Sequence, residues 1–198
     1  SLYKVFGYNE FIYRIFNTLL FFLGLFFLFK LMHYLLKDDF WAIALSILFF
    51  TSPLLVYYGN NYLSNSSSLA LSIIAWYYFI RFYFESKPKL FYTSMVLILL
   101  AGAFKVTGLF SLFAIGGIYL IELLGLKRFK EDRKLFTKPF LYILPIISIF
   151  LIIGLWLAYA HSYNKTHDCA YFSTTIFPIW ELNSIEIDGV LSNIKKVW

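Results

Sequence analysis

Long stretches without any charged residue dominate this sequence, and they limit the folds that the chain can adopt. Residues 40–58 contain no Asp, Glu, Lys or Arg. A helix of that length, rising 1.5 Å per residue, crosses the roughly 30 Å of hydrocarbon in a bilayer. Hydrophobic residues make up 61% of the chain and charged residues 14%, whereas soluble domains are about 45–50% apolar. The sequence therefore predicts a membrane protein.

Short polar turns separate the apolar stretches, which predicts an all-α, polytopic bundle of about six transmembrane spans. Pro53, Gly59 and the Asn/Ser cluster at 60–68 provide the breakers for a reversal after the stretch 40–58. Residues 90–126 are too long for one span and long enough for two. The predicted spans lie near residues 14–30, 40–58, 66–81, 90–104, 108–126 and 140–160.

These spans assign residues 1–160 to a transmembrane helical domain. Residues 161–198 are more polar and are predicted to form a non-cytoplasmic loop with interfacial helical pieces. Within it, residues 185–197 are amphipathic enough to lie at the membrane interface.

The basic residues predict the orientation, because short cytoplasmic loops carry an excess of Lys and Arg. With six alternating spans, most basic residues fall on one side, which we expect to be cytoplasmic. They are Lys30, Lys37, Arg81, Lys87, Lys89, Lys127, Arg128, Lys130, Arg133, Lys134 and Lys138. The net charge of +6 therefore reports topology, and no nucleic-acid partner is expected.

Two basic residues lie where the spans meet the non-cytoplasmic side. Lys105 follows an apolar run, and Arg14 stands at the head of the first span. Each could snorkel to the interface, or could contact a phosphate or carboxylate at the membrane surface. The polar tip between spans two and three poses a similar choice, because it is either a plain turn or the lining of a polar substrate site. Its candidate lining residues are Asn60, Asn61 and Asn65.

Residue types that bind metals occur near the end of the chain, at His161, His167, Asp168 and Cys169. Their spacing matches no closed zinc pattern, so neither a metal nor a cofactor is expected. Several carboxylates on the non-cytoplasmic side could act as a general base, although a solvated loop charge is the alternative for each. They are Glu10, Asp168, Glu181, Glu186 and Asp188.

Four motifs then occur in order along the chain. Residues 6–14 read FGYNEFIYR, residues 52–65 read SPLLVYYGNNYLSN, and residues 103–108 read AFKVTG. Residues 161–180 add a segment that ends in Pro-Ile-Trp. Together these motifs resemble the membrane-embedded glycosyltransferases of the GT-C superfamily, in the protein mannosyltransferase and lipid A aminoarabinose transferase branch and its bacterial, Bacteroidetes-type members.

The resemblance implies transfer of a hexosyl or pentosyl group from a polyprenyl-phosphate-linked donor to an acceptor on the non-cytoplasmic face of the bacterial inner membrane. In such chemistry a carboxylate activates the acceptor hydroxyl, and cations stabilise the departing lipid phosphate. Lys105, with Arg14, is the candidate for the phosphate side. The implied partners are the donor and the bilayer, and a protein partner stays open.

The chain also departs from the family pattern. Many members carry Asp where this chain has Asn65, and their catalytic carboxylate lies in an external loop after a first span. The chain opens at Ser1 and stops at Trp198, so we expect a piece of a longer protein whose base lies outside it. A non-catalytic membrane subunit, binding lipid or a partner protein, and a lipid transporter or flippase are the alternatives.

Overall fold

The computed structural model describes residues 10–60, 64–127, 129, 134–167 and 183–197. Within these ranges the chain contains helices and no β-strand, which confirms the predicted all-α fold class. The described helices are α1 (Glu10–Leu36), α2 (Asp39–Phe50), α3 (Pro53–Asn60), α4 (Ser64–Glu85), α5 (Pro88–Phe104), α6 (Phe110–Leu123), α7 (Pro139–His167) and α8 (Ser184–Val197). A 3₁₀ turn, Val106–Leu109, joins α5 to α6.

Three helical segments of the described chain are long and apolar enough to cross a membrane. They are Arg14–Leu36, Val106–Leu123 and Pro139–His167. The pair α2 and α3 passes the same test when taken together, which raises the number to four. The described part of the chain is therefore all-helical and has three or four candidate membrane spans by length and composition.

The uncharged stretch 40–58 is not one straight helix. α2 ends at Phe50, and the axis turns by 71° before α3 begins at Pro53. Thr51 Oγ1 donates to the carbonyl of Ile47 at 2.7 Å, and the proline at 53 has no N–H to continue the helical ladder. The sequence indicated Pro53 as a breaker at the tip, whereas the structure places the break inside the predicted second span.

Local signals in the sequence explain the tight turns between α1 and α2 and between α4 and α5. Asp38 caps α2, because its Oδ1 accepts from the amide of Trp41 at 3.1 Å. Lys37 (φ 56°) and Ser86 (φ 58°) have left-handed backbone conformations just after α1 and α4, which ends each helix. Pro88 occupies the first turn of α5, where a missing N–H costs little.

Side-chain contacts show that α1 and α4 run in the same direction. A Cβ on Gly24 would lie 2.8 Å from the Cβ of Ala70, so only glycine allows this close approach. Further along both helices, the rings of Phe27 and Tyr77 lie 5.3 Å apart.

α5 runs antiparallel to α4. Ser68 Oγ donates to the carbonyl of Ala101 at 2.9 Å near one end, and Ser94 Oγ donates to the carbonyl of Ala75 at 2.9 Å nearer the other. Two other helix pairs are also antiparallel. For α1 and α2 the contacts are Phe21 with Phe50 and His33 with Asp39. For α6 and α7 they are Phe113 with Phe150 and Tyr119 with Pro139.

A buried carboxylate fixes the segment that precedes α7. Glu122 is 2% exposed, and its two carboxylate oxygens accept from the amides of Leu135 and Phe136 at 2.8 and 2.9 Å. A buried charge needs such partners, because burial without them is costly. The contact places Phe136 in a buried aromatic cluster with Phe82, Phe91 and Tyr142.

The chain divides into two compact units, Ser1–Leu155 and Trp156–Trp198. The second unit holds the last part of α7 together with α8. α7 continues to His167, beyond the predicted span end at residue 160, so part of the predicted loop is helical.

Candidate functional site

Polar side chains of α1 and α4 and backbone carbonyls of α3 meet around one buried amide, Asn17 of α1, which is 4% exposed. Its Nδ2 donates to the carbonyls of Tyr58 and Gly59 at the end of α3, at 3.4 and 3.3 Å. Its Oδ1 accepts from Ser66 Oγ at 3.0 Å and from Ser67 Oγ, both on α4. The amide therefore binds α3 and the start of α4 to α1 and satisfies carbonyls that α3 leaves open.

The end of α3 reaches this cluster because Gly59 has no side chain. A Cβ on Gly59 would lie 2.9 Å from the ring of Phe21. Phe21 also contacts Phe50 at the end of α2, with ring centroids 4.8 Å apart. The start and the end of α3 therefore lie at about the same height along α1, next to Phe21. This fits a helix whose axis is turned by 71° from that of α2.

Lys105 lies at a break in the backbone next to this cluster. α5 ends at Phe104, and Lys105 is extended (φ −155°, ψ 129°) before the 3₁₀ turn begins. The carbonyl of Lys105 accepts from the amide of Gly108 at 2.8 Å. A Cβ on Gly108 would lie 2.8 Å from Ser68 Oγ and from the carbonyl carbon of Ala101, so the turn packs directly on α4 and α5.

The ammonium of Lys105 is held by a neutral acceptor. Lys105 Nζ donates to Asn65 Oδ1 at 2.6 Å. In the part of the chain that the structure describes, no carboxylate lies within ion-pair distance of it. Asn65 is the second residue of α4, and the N-terminal turn of a helix carries partial positive charge. The lysine and the helix end therefore both favour a negatively charged ligand.

The basic residues at the opposite end of α4 have a charged partner, unlike Lys105 in the described part of the chain. There Glu85, beyond the proposed span 66–81, accepts from Arg81 Nε and from Lys87 Nζ. These hydrogen bonds, with that of Arg81 the stronger, lower the pKa of Glu85 to about 2. The cations at that end face a carboxylate, whereas the acceptor that the described residues offer to Lys105 Nζ is the amide of Asn65.

Helix lengths place this cluster at one end of the bundle. At 1.5 Å per residue, Asn17 lies about 28 Å from Leu36 along α1, and Asn65 lies about 30 Å from Glu85 along α4. Lys105 lies about 25 Å from Pro88, where α5 begins. These lengths approach the roughly 30 Å thickness of the hydrocarbon core. With Leu36, Glu85 and Pro88 at one membrane surface, the polar cluster would therefore lie at the level of the other surface.

The chain matches no protein-family model, no curated protein and no solved structure. Any assignment of function therefore rests on the chemistry of the residues in this cluster and on the motifs in the sequence.

The structure brings two of the predicted site residues together. Lys105 and Asn65 are in direct contact. Arg14 is exposed on α1, three residues before Asn17. The stacked rings of Phe16 and Phe104, 6.5 Å apart, bring this part of α1 next to the end of α5. Asn60 ends α3, and Asn61 lies outside the described residues.

Sequence reasoning missed the central role of Asn17 and of the serines that follow Asn65. An amide within an apolar stretch is a usable signal, because polar groups in a membrane require partners. The sequence assigns the serine run to the polar tip, whereas Ser66, Ser67 and Ser68 are buried within α4.

The structure describes some of the other predicted candidates and not the rest. Among the described residues, no three His, Cys, Asp or Glu side chains are close enough to hold a metal ion. Glu186 forms part of a helix cap, and Asp188 is exposed on α8. Glu10 begins α1, and Asp168, Cys169 and Glu181 lie outside the described residues.

Proposed function

We propose that this chain belongs to an integral-membrane glycosyltransferase of the GT-C type. It would transfer a sugar from a polyprenyl-phosphate-linked donor to an acceptor on the non-cytoplasmic face of a bacterial inner membrane. The observation that carries the proposal is the contact of Lys105 with Asn65, because it holds a positive charge at the start of α4 without neutralising it.

The proposal includes six membrane crossings. Neighbouring helices alternate in direction from α1 to α7, with α2 and α3 counted together. α4 and α5 would then also cross the bilayer, although α4 begins with a polar Ser/Asn turn. Under this topology the Asn17 and Lys105 cluster faces the side opposite the Lys- and Arg-rich loops, which is the non-cytoplasmic side.

In the proposed reaction the sugar leaves a lipid phosphate as the acceptor hydroxyl attacks the anomeric carbon. Negative charge develops on the departing phosphate, and a preorganised cation stabilises it more than it stabilises the bound donor. Lys105 would supply that cation, and Arg14 a second one at the rim. Asn65 would hold Lys105 in place. No described residue is assigned as the base that activates the acceptor.

A groove along α5, the helix that precedes Lys105, would suit the lipid part of the donor. It lies between α5 and α7, has a volume of about 320 Å³ and is almost wholly apolar. Its lining includes Met95, Val96, Leu99, Leu144, Ile149 and Ile152. Leu99 lies about 9 Å from Lys105 along the chain, so a polyprenyl chain in the groove could present its phosphate to the lysine.

The bent pair α2 and α3 favours a lipid transporter or flippase as the second candidate, because broken helices are common in transporters. Transporters place such breaks near the bilayer midplane. Here the break lies at the level of Phe21, next to the polar cluster at the end of the bundle. This placement fits a surface site better than a translocation path. A non-catalytic subunit that binds lipid stays open as well.

The test is sugar transfer by the full product of the gene in its own membranes. A polyprenyl phosphate that carries a radiolabelled hexose or pentose serves as donor, and label in lipid and protein acceptors is counted. We expect Lys105→Ala to lower the rate about a hundredfold, as the loss of one transition-state donor does. Lys89→Ala removes an exposed lysine at the start of α5, the helix that precedes Lys105, and should leave the rate unchanged.

Loss of transfer in the Lys105→Ala protein, with normal membrane insertion and normal Lys89→Ala activity, supports the glycosyltransferase. Equal rates in both variants contradict a role for Lys105. A protein that transfers no sugar from any hexosyl or pentosyl donor, yet moves labelled polyprenyl phosphate between leaflets, is a transporter. One that does neither is the non-catalytic subunit.

A further inference from the structure

The second unit contains a short helix whose start is fixed by its own side chains. Asn183 Oδ1 accepts from the amide of Glu186 at 3.0 Å, and Glu186 Oε2 accepts from the amide of Asn183 at 2.9 Å. This reciprocal arrangement is a capping box, which satisfies amide groups that the first turn leaves open. α8 therefore has a local reason to be helical that does not depend on packing.

One face of α8 is apolar and open. Ile187, Val190 and Leu191 follow the i, i+3, i+4 spacing of a helical stripe, and the sequence continues it at Ile194. The three described side chains remain 42%, 49% and 50% exposed. Glu186, Asp188 and Ser192 lie off this stripe. An amphipathic helix of this kind buries its apolar stripe when a membrane surface is close to it.

The end of α7, which belongs to the same unit, indicates that a membrane surface is close to α8. α7 is about 42 Å long, and about 30 Å suffices for the hydrocarbon core. Aromatic residues form a row of ring contacts along its last turns, from Trp156 to Tyr159, Tyr163 and His167. Trp and Tyr concentrate at membrane–water interfaces. This aromatic row therefore marks the membrane boundary at the end of α7, and α8 follows it in the chain.

We propose that α8 lies in the plane of the bilayer surface, with Ile187, Val190 and Leu191 inserted among the acyl chains. It is about 21 Å long, too short to cross the roughly 30 Å of hydrocarbon. Its sequence has two acidic and two basic residues, Glu186 and Asp188 against Lys195 and Lys196, so its formal charges cancel. Apolar burial, not attraction to anionic headgroups, drives the contact, and a zwitterionic bilayer suffices.

Site-directed spin labelling tests the proposal in the full-length chain reconstituted into zwitterionic bilayers. Cys169, the one cysteine, is first changed to Ser. A nitroxide is then attached to Val190→Cys in one protein and to Ser192→Cys in another. The two positions are both exposed and lie about 200° apart around the helix. Molecular oxygen reports lipid at each label, and a water-soluble nickel chelate reports water.

We expect the label at 190 to be relaxed more by oxygen than by nickel, and the label at 192 to show the reverse. The difference should persist at high salt, because charge does not drive the contact. Nickel accessibility at 190 equal to that at 192 would place the apolar face in water. Exclusion of both reagents at 190 would mean that protein covers it. Either result overturns the proposal, and Leu191→Cys, on the same face, repeats the measurement if a label at 190 disturbs the helix.

Discussion

Lys105 Nζ donates a 2.6 Å hydrogen bond to Asn65 Oδ1, across the boundary between the end of α5 and the start of α4. The acceptor is an amide, so the contact orients the ammonium and leaves its charge available. A carboxylate at position 65 would instead pair with the ammonium and weaken its attraction for an anionic ligand.

Replacing the amide by a carboxylate tests that point. Asn65→Asp keeps the size of the side chain but pairs Lys105 with a negative charge. We expect about tenfold weaker binding of polyprenyl phosphate, equivalent to about 1.4 kcal/mol, without loss of thermal stability. Asn65→Ala, the control, removes the orienting bond and adds no charge, so its effect should be smaller. Tighter binding by Asn65→Asp would show that the lysine does not act as the free cation.

The break at Lys105 depends on a second residue, Gly108. A Cβ there would press on the backbone of Ala101 and on Ser68 Oγ, both within 2.9 Å. We expect Gly108→Ala to lower the unfolding free energy in detergent by about 1–3 kcal/mol, the usual cost of overpacking. Gly116→Ala is the matched control, because a Cβ at Gly116 meets nothing within 4 Å. Equal thermal stability of the two variants would show that the turn can move away from α4.

Asn17 should be as important for stability as any residue of the site. Asn17→Ala leaves the carbonyl of Gly59 and the hydroxyl of Ser67 without the buried partner that each has now. Each unsatisfied buried group costs about 1–3 kcal/mol, so the melting temperature should fall clearly. Ser148→Ala, which removes a bond within α7 alone, should change it little. A melting temperature of Asn17→Ala within error of the parent would contradict the account of the cluster.

The far end of the bundle offers an independent prediction at Glu122. Glu122→Gln keeps the shape but offers one oxygen to two amides, those of Leu135 and Phe136. We expect the segment 134–138 to separate from α6 more often. Trypsin should therefore cut at Lys134 several times faster in unsealed membrane fragments, where it reaches both surfaces. Glu186→Gln, on exposed α8, is the control. An unchanged cutting rate would show that the aromatic cluster alone holds the segment.

Much of the helical layout follows from local sequence. Asp38 caps α2, Pro88 begins α5, and Lys105 interrupts the long apolar stretch 90–126, each near the predicted position. These boundaries are local, because caps, prolines and isolated charges act within one turn. The break after Phe50 carries a weaker local signal: Thr51 Oγ1 donates to a carbonyl of its own helix, a kind of bond that often bends helices.

The site was predictable only in part, for a physical reason. Lys105 and Asn65 could be selected one by one as polar groups at span ends, but their contact joins residues 40 positions apart. The bonds of Asn17 span 41 to 50 positions. They depend on the close packing of α1 against α4, which Gly24 and Ala70 allow. No local pattern carries that information.

The most direct test of the account is the binding of a polyprenyl phosphate, compared with the matching neutral polyprenol, to the purified protein in nanodiscs. We expect the phosphate to bind at least about tenfold more tightly, a difference of about 1.4 kcal/mol. Lys105→Ala should abolish the preference, and Lys89→Ala should retain it. Equal affinity for phosphate and alcohol, or a full preference in Lys105→Ala, would contradict the claim that this end of the bundle binds a lipid phosphate.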